Sequence, residues 1–125
     1  MFSRKTLLLA LAIVAVASLV VACGGGGSSG GGGGGESVTV TMTDFKFDPA
    51  TLNATPGQTI NLTVVNKGQT RHTFVLSDAN VNIGADPGQS ATASFKAPAQ
   101  AGTYKFQCDV PGHADQGMVG QLVVK

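Results

Sequence analysis

Cysteine and histidine are scarce in this chain, with two of each among 125 residues. Two cysteines allow one bridge at most, not the multi-bridge framework that holds many small secreted domains together. Charge is equally sparse and nearly balanced, 8 Lys and Arg against 7 Asp and Glu. A chain without a dominant sign offers no footprint for nucleic acid or for a strongly charged partner. No internal repeat is present. No stretch has both the length and the 3.6-residue period of a convincing helix. The longest uncharged apolar run, Leu7–Val21, has 15 residues, short of the roughly 20 that a membrane-spanning helix requires.

That run does fit the apolar core of a secretory signal. Arg4 and Lys5 precede it and the small Ala22 ends it, the layout of a positive head, an apolar middle and a cleavage position. The string Val20-Val21-Ala22-Cys23 resembles the processing site of bacterial lipoproteins. The resemblance implies that 1–22 is removed and that Cys23 becomes a lipidated first residue on the extracytoplasmic face of a bacterial membrane. A Cys23–Cys108 bridge would tie a floppy tail to the end of a core strand, so each cysteine is expected to serve elsewhere. Loss of Arg4 and Lys5 leaves six Lys and Arg against seven Asp and Glu, a formal charge of −1. Gly24–Gly35 reads GGGGSSGGGGGG, and twelve residues without an apolar side chain cannot pack. The segment 23–35 is therefore expected to be a flexible tether with a reach on the order of 19 Å.

Residues 36–125 remain as one small folded domain. Its pattern is β throughout. Ser37–Thr43 alternates with Val38, Val40 and Met42 on one face. Thr59–Asn66 alternates with Ile60, Leu62 and Val64 inward and Thr or Asn mostly outward. Further strands are expected at His72–Leu76, Ser90–Phe95, Thr103–Cys108 and Val119–Val124, with short pieces at Phe45–Phe47 and Thr51–Asn53. Asn80–Ala85 reads as a loop or one helical turn. Pro56-Gly57, Lys67-Gly68, Pro87-Gly88 and Ala101-Gly102 punctuate the strands as turns. Seven to eight short strands at regular spacing predict an all-β sandwich or barrel.

The chemistry is concentrated near the C-terminus. Cys108, His113 and Met118 follow one another as Cys-x4-His-x4-Met, and His72 stands 36 residues upstream of Cys108. Tyr104, Phe106 and Cys108 share parity, so the two rings facing the core bring the thiol inward with them. Each of these residues alone has an ordinary structural reading: a buried cysteine, a surface histidine, a core methionine, a polar strand end. Together they are the only histidines and the only non-lipid cysteine of the mature chain, and His2Cys with a weak axial thioether is the ligand set of a blue-copper electron-transfer site. Thiolate and thioether favour Cu(I), and imidazole serves both oxidation states. Zinc, the competing metal, uses Cys and His without Met in its structural sites. Pro111, Gly112 and Gly117 suit a rigid loop that needs little rearrangement on electron transfer. Met42, the other candidate thioether, belongs to an alternating strand and is expected in the core.

The segments Asp44-Phe45-Lys46-Phe47-Asp48-Pro49, Pro56-Gly57-Gln58-Thr59, Arg71-His72-Thr73-Phe74-Val75 and Tyr104–Cys108 with Pro111-Gly112-His113 and Gly117-Met118 resemble the small blue-copper proteins of the cupredoxin family. The Cys–His spacing is similar to auracyanin and rusticyanin, and longer than in plastocyanin. The resemblance implies a Greek-key β-sandwich holding one copper ion that cycles between Cu(I) and Cu(II). It implies His72, Cys108, His113 and Met118 as the ligands. It implies that His113 is partly exposed in an apolar patch with Pro111, Gly112 and Ala114, and passes the electron. In the family the residue after the first histidine is often Asn or Ser; here Thr73 stands there, with a hydroxyl able to reach the cysteine loop. Arg71 precedes His72: a cation there would favour Cu(I) and raise the potential, whereas a side chain that points into solvent, the reading adjacency alone favours, would not.

The expected function is a membrane-tethered, monomeric carrier of single electrons between redox proteins: a cytochrome, a quinol-oxidising complex or a terminal oxidase. Copper trafficking or storage is the alternative, although the exposed Met/His clusters of such proteins are missing. Two histidines cannot supply the additional copper of a nitrite reductase or oxidase. A dinuclear copper centre needs a second cysteine in the loop, where only Cys108 stands.

Overall fold

The computed structural model describes residues 35–125; the expected signal segment, Cys23 and the tether up to residue 34 lie outside the described residues. Nine strands are formed in chain order: β1 (Glu36–Thr43), β2 (Lys46–Asp48), β3 (Thr51–Ala54), β4 (Thr59–Asn66), β5 (His72–Leu76), β6 (Val81–Ala85), β7 (Ser90–Lys96), β8 (Gly102–Gln107) and β9 (Val119–Val124). They build two sheets, ordered β2-β1-β4-β7 and β3-β9-β8-β5-β6. The β1/β4 and β3/β9 pairs are parallel and the others antiparallel. This is the all-β sandwich that the strand spacing predicts, with one strand more than expected.

The additional strand is β6. Asn80 takes a left-handed conformation (φ 54°) and closes a short 3-10 turn at Ser77–Ala79. Val81–Ala85 then returns antiparallel along β5, with His72 opposite Ala85 and Leu76 opposite Val81. Its inward positions are Val81, Ile83 and Ala85, but Asn82 and Gly84 between them are poor strand formers. The sequence signal is weak there, and pairing with β5 decides the conformation.

Alternation sets the core. Val40 and Met42 from β1 and Ile60, Leu62 and Val64 from β4 meet Phe74 and Leu76 from β5, Phe106 from β8, and Leu122 and Val124 from β9, all essentially without exposure. Met42 is thus a core residue, as expected. Phe74 stacks on Phe106 with centroids 4.4 Å apart, and Phe47 meets both edge-on at 5.7 and 5.1 Å. Such offset and edge-to-face contacts suit the ring quadrupoles. This aromatic cluster lies beneath the strand ends that carry His72 and Cys108.

One inward position of β4 is polar. Asn66 shares parity with Ile60, Leu62 and Val64 and is fully buried, contrary to the outward placing expected for most Asn of that strand. Its amide donates to the carbonyls of Thr70 and Ala85, both at 2.8 Å, and its side-chain oxygen accepts the N–H of Gly68 at 2.8 Å. Burial of an amide is tolerable when its bonds are made in this way. Here they fold residues 66–70 against the end of β6, beside His72.

Candidate metal centre

His72 opens β5, and Cys108 follows the last residue of β8. His113 and Met118 lie on the connection from β8 to β9. Pairing of β5 with β8 in one sheet therefore brings residues 36 apart in sequence to one end of the larger sheet. His72 and Met118 have no exposure, Cys108 has 1% and His113 8%.

The connection is bound tightly to itself. The Cys108 N–H donates to the Met118 carbonyl at 3.1 Å, His113 N–H to Val110 at 3.0 Å, and Met118 N–H back to His113 at 3.2 Å. A 3-10 turn at Ala114–Gln116 separates His113 from Met118. Gly112 and Gly117 hold φ of 83° and 101°, a region that strains any residue with a Cβ. The sequence supplies glycine at both turns, and neither His113 between them nor Met118 after them needs a strained backbone.

The donor atoms converge. The Nδ1 atoms of His72 and His113 are 3.2 Å apart, and His113 Nδ1 lies 3.5 Å from Cys108 Sγ. One ligand atom from each of the three residues lies within 4.8 Å of the other two. An ion bound trigonally at about 2.0 Å from nitrogen and about 2.3 Å from sulfur would set nitrogens about 3.5 Å apart and nitrogen and sulfur about 3.7 Å apart. The spacing fits one small ion.

The tautomer of His72 agrees. Its Nε2 lies 2.6 Å from Asp44 Oδ1. A carboxylate only accepts, so Nε2 carries the hydrogen and Nδ1 presents a lone pair. Asp44 is itself held by the Gln69 N–H at 2.9 Å and the Thr70 hydroxyl at 3.3 Å. The Gln69 bond, followed by those from His72 and Thr70, outweighs desolvation and keeps the Asp44 carboxyl below its ordinary value. A carboxylate behind a ligating imidazole fixes its ring and raises its basicity. Phe45 covers the pair of rings, edge-on to His72 at 6.2 Å and to His113 at 4.8 Å.

Around the sulfur, the Thr73 N–H donates to Cys108 Sγ at 3.4 Å. Thr73 Oγ1 lies 3.5 Å from the same sulfur and 2.6 Å from Asp109 Oδ1, and it accepts the Asp109 N–H at 2.9 Å. Thr73 therefore does reach the cysteine loop. Arg71 turns away into an ion pair with Asp86 at 2.9 Å, both side chains more than half exposed. A screened pair of this kind carries little net field, which leaves Arg71 poorly placed to raise a potential. Pro111 and Gly112 are exposed and Ala114 is half-buried next to the narrow exposed edge of His113.

Three contributors escaped the sequence reading. Asp44 stands 28 residues from His72, so nothing in the sequence pairs the two. Asn66 carried a readable signal, a polar residue at the inward parity of an alternating strand. Asp109 follows Cys108 directly, yet its bond to Thr73 depends on how β5 and β8 are brought together.

Comparison with known proteins agrees with the fold. The family model for the Cupredoxin-like domain matches residues 9–124. The copper-resistant cuproprotein CopI of Rubrivivax gelatinosus is 33% identical over 109 residues, covering 71% of this chain and 66% of the relative, so the chain spans just under two thirds of that protein. Among solved structures, auracyanin B superposes with a TM-score of 0.66 at 21% identity, covering 78% of this chain and 93% of that one. Dithionite-reduced auracyanin from the photosynthetic bacterium Roseiflexus castenholzii gives a TM-score of 0.62 at 24% identity, covering 77% and 99%. A chain of a heme-copper terminal oxidase dimer gives 0.61 at 19% identity, covering 74% and 66%. At these identities the structural likeness is one of fold.

Proposed function

The chain belongs to the cupredoxin-like domain family, and from that membership we propose that it is a mononuclear blue-copper protein carrying single electrons between redox proteins outside the cytoplasm. Its cofactor is copper, which supplies a one-electron Cu(I)/Cu(II) couple when bound. The observation that carries this reading is the buried meeting of two imidazole nitrogens and the Cys108 sulfur within 4.8 Å. His72, Cys108 and His113 hold the ion. Met118, buried and bound through its carbonyl to the Cys108 N–H, would offer its thioether as a further ligand.

The roles of the residues follow from their surroundings. Asp44 orients His72, and the bonds within 108–118 keep His113 and Met118 in place whichever oxidation state is present. A fixed ligand set lowers the rearrangement that accompanies electron transfer. His72 is sealed, so the edge of His113 is where a partner approaches the copper through a ligand ring. The partner is a cytochrome, a quinol-oxidising complex or a terminal oxidase. Lipid on Cys23 and the tether of 23–35 keep the domain at the extracytoplasmic face of a bacterial membrane within reach of two partners in turn.

Reversible one-electron voltammetry of the copper-loaded chain, with copper retained through many cycles, tests the proposal. A second reading, copper trafficking or storage, is favoured by the relationship to a copper-resistant cuproprotein. It requires copper to leave for a Cu(I) chelator on reduction.

A further inference from the structure

The Thr73 hydroxyl has one hydrogen and two acceptors within range. Asp109 Oδ1 is 2.6 Å away and Cys108 Sγ 3.5 Å away. A charge-assisted O–H···O bond has an optimum of about 2.5–2.7 Å, and the distance to Asp109 meets it. The hydrogen therefore goes to the carboxylate. The same oxygen accepts the backbone N–H of Asp109 at 2.9 Å, so one of its lone pairs is also taken. The oxygen faces the sulfur without a hydrogen to offer. The Thr73 amide donates to Cys108 Sγ at 3.4 Å, and His113 Nδ1, 3.5 Å from that sulfur, is a copper ligand in the reading above.

We infer that Asp109 is a positioning residue that withholds the Thr73 hydroxyl from the copper thiolate and thereby lowers the reduction potential. A hydrogen bond to a metal-bound thiolate withdraws electron density from sulfur and weakens its bond to the oxidised ion, and hydrogen bonds around that sulfur tune the potentials of such sites. Removing the donor leaves the sulfur richer and Cu(II) better stabilised. Thr73 occupies the place next to the first ligand from which a hydroxyl could make that bond. Asp109, next to the second ligand, captures the hydrogen. The two-point contact also fastens the start of β5 to the cysteine loop. The inference rests on the copper-ligand reading above.

A double-mutant cycle on the copper-loaded full chain tests it, reading midpoint potential and the energy of the thiolate-to-copper absorption band. In the native background, Thr73→Val should leave both nearly unchanged, because no hydrogen points at sulfur. In the Asp109→Ala background the freed hydroxyl turns to Cys108, and Thr73→Val should then lower the potential clearly. The charge lost with Asp109 is common to both arms of the comparison and cancels. Asp109→Asn keeps an accepting oxygen, so Thr73→Val in that background should again have little effect. Equal lowering by Thr73→Val in the native and Asp109→Ala backgrounds would show that the hydroxyl already serves the sulfur and would overturn the inference. No effect in either would overturn it as well, since Asp109 would then be withholding nothing. Thr73→Ala repeats the cycle should valine disturb β5. Absence of the thiolate-to-copper band in every variant and in the parent would be failure of the ligand reading instead.

Discussion

His72 is gripped from both ends of its ring: Nε2 lies 2.6 Å from the Asp44 carboxylate, and Nδ1 lies 3.2 Å from Nδ1 of His113. The carboxylate decides which nitrogen keeps its hydrogen and so which one is free for copper. Asp44→Ala is expected to weaken copper binding about 10–100-fold, the usual cost of losing a partner behind a ligating histidine. Asp44→Asn, which retains an acceptor, should cost much less and should raise the potential by removing a negative charge. Chelator competition and voltammetry check both; unchanged affinity in Asp44→Ala would contradict the role.

The same carboxylate has a pH signature in the metal-free protein. Its folded value lies below the ordinary 3.8, first through the Gln69 N–H and then through His72 and Thr70. A depressed carboxyl stabilises the fold above its unfolded value, and that contribution is lost as pH falls through the lower folded value. The stability difference between native and Asp44→Asn chains should therefore be constant near neutrality and shrink only below about pH 4. Denaturant titrations across pH 2.5–7 measure it. A difference that shrinks between pH 5 and 7 would point to another group.

Gly68 sits against this pair. A Cβ there would lie 2.7 Å from His72 Nε2 and closer still to Asp44 Oδ1. Gly68→Ala should therefore push Asp44 off the imidazole, with an overpacking cost of about 1–3 kcal/mol. Urea unfolding of the metal-free chain, with copper affinity measured alongside, tests the idea. A variant with native stability and native copper affinity would show that the loop yields.

Asn66 is the hidden organiser of that loop. Asn66→Ala leaves the Gly68 N–H and the carbonyls of Thr70 and Ala85 without their partner. The loss should be about 3 kcal/mol, since each buried unsatisfied group costs about 1–3 kcal/mol and water recovers part of it. Thermal or denaturant unfolding gives the number directly. A loss below about 0.5 kcal/mol, the range of an ordinary surface substitution, would mean that the loop holds itself.

What was legible in the sequence followed from alternation and from rare residue types. Val38, Val40 and Met42, or Ile60, Leu62 and Val64, declare their face by parity alone, so the sandwich is readable. Cys108, His113, Met118 and His72 stand out because cysteine and histidine are so few. Strand β6 was hidden because Asn82 and Gly84 dilute its pattern, and its conformation is imposed by β5. The partners of the site were hidden for a different reason. Asp44 and Asp109 act through contacts between segments far apart in sequence, which only the folded sheets bring together, and the bond of Asn66 to Ala85 is of the same kind. Arg71 shows the converse: adjacency to His72 suggested an influence on copper, but its guanidinium is committed to Asp86.

The central claim is that Cys108 joins His72 and His113 on one copper ion, and the visible and EPR spectra of the Cu(II)-loaded chain test it most directly. Intense thiolate-to-copper absorption with a narrow hyperfine splitting, both abolished in Cys108→Ala, is the predicted result. Weak colour with ordinary Cu(II) hyperfine splitting, or binding of Cu(I) alone, would contradict it and leave copper trafficking as the function of the site.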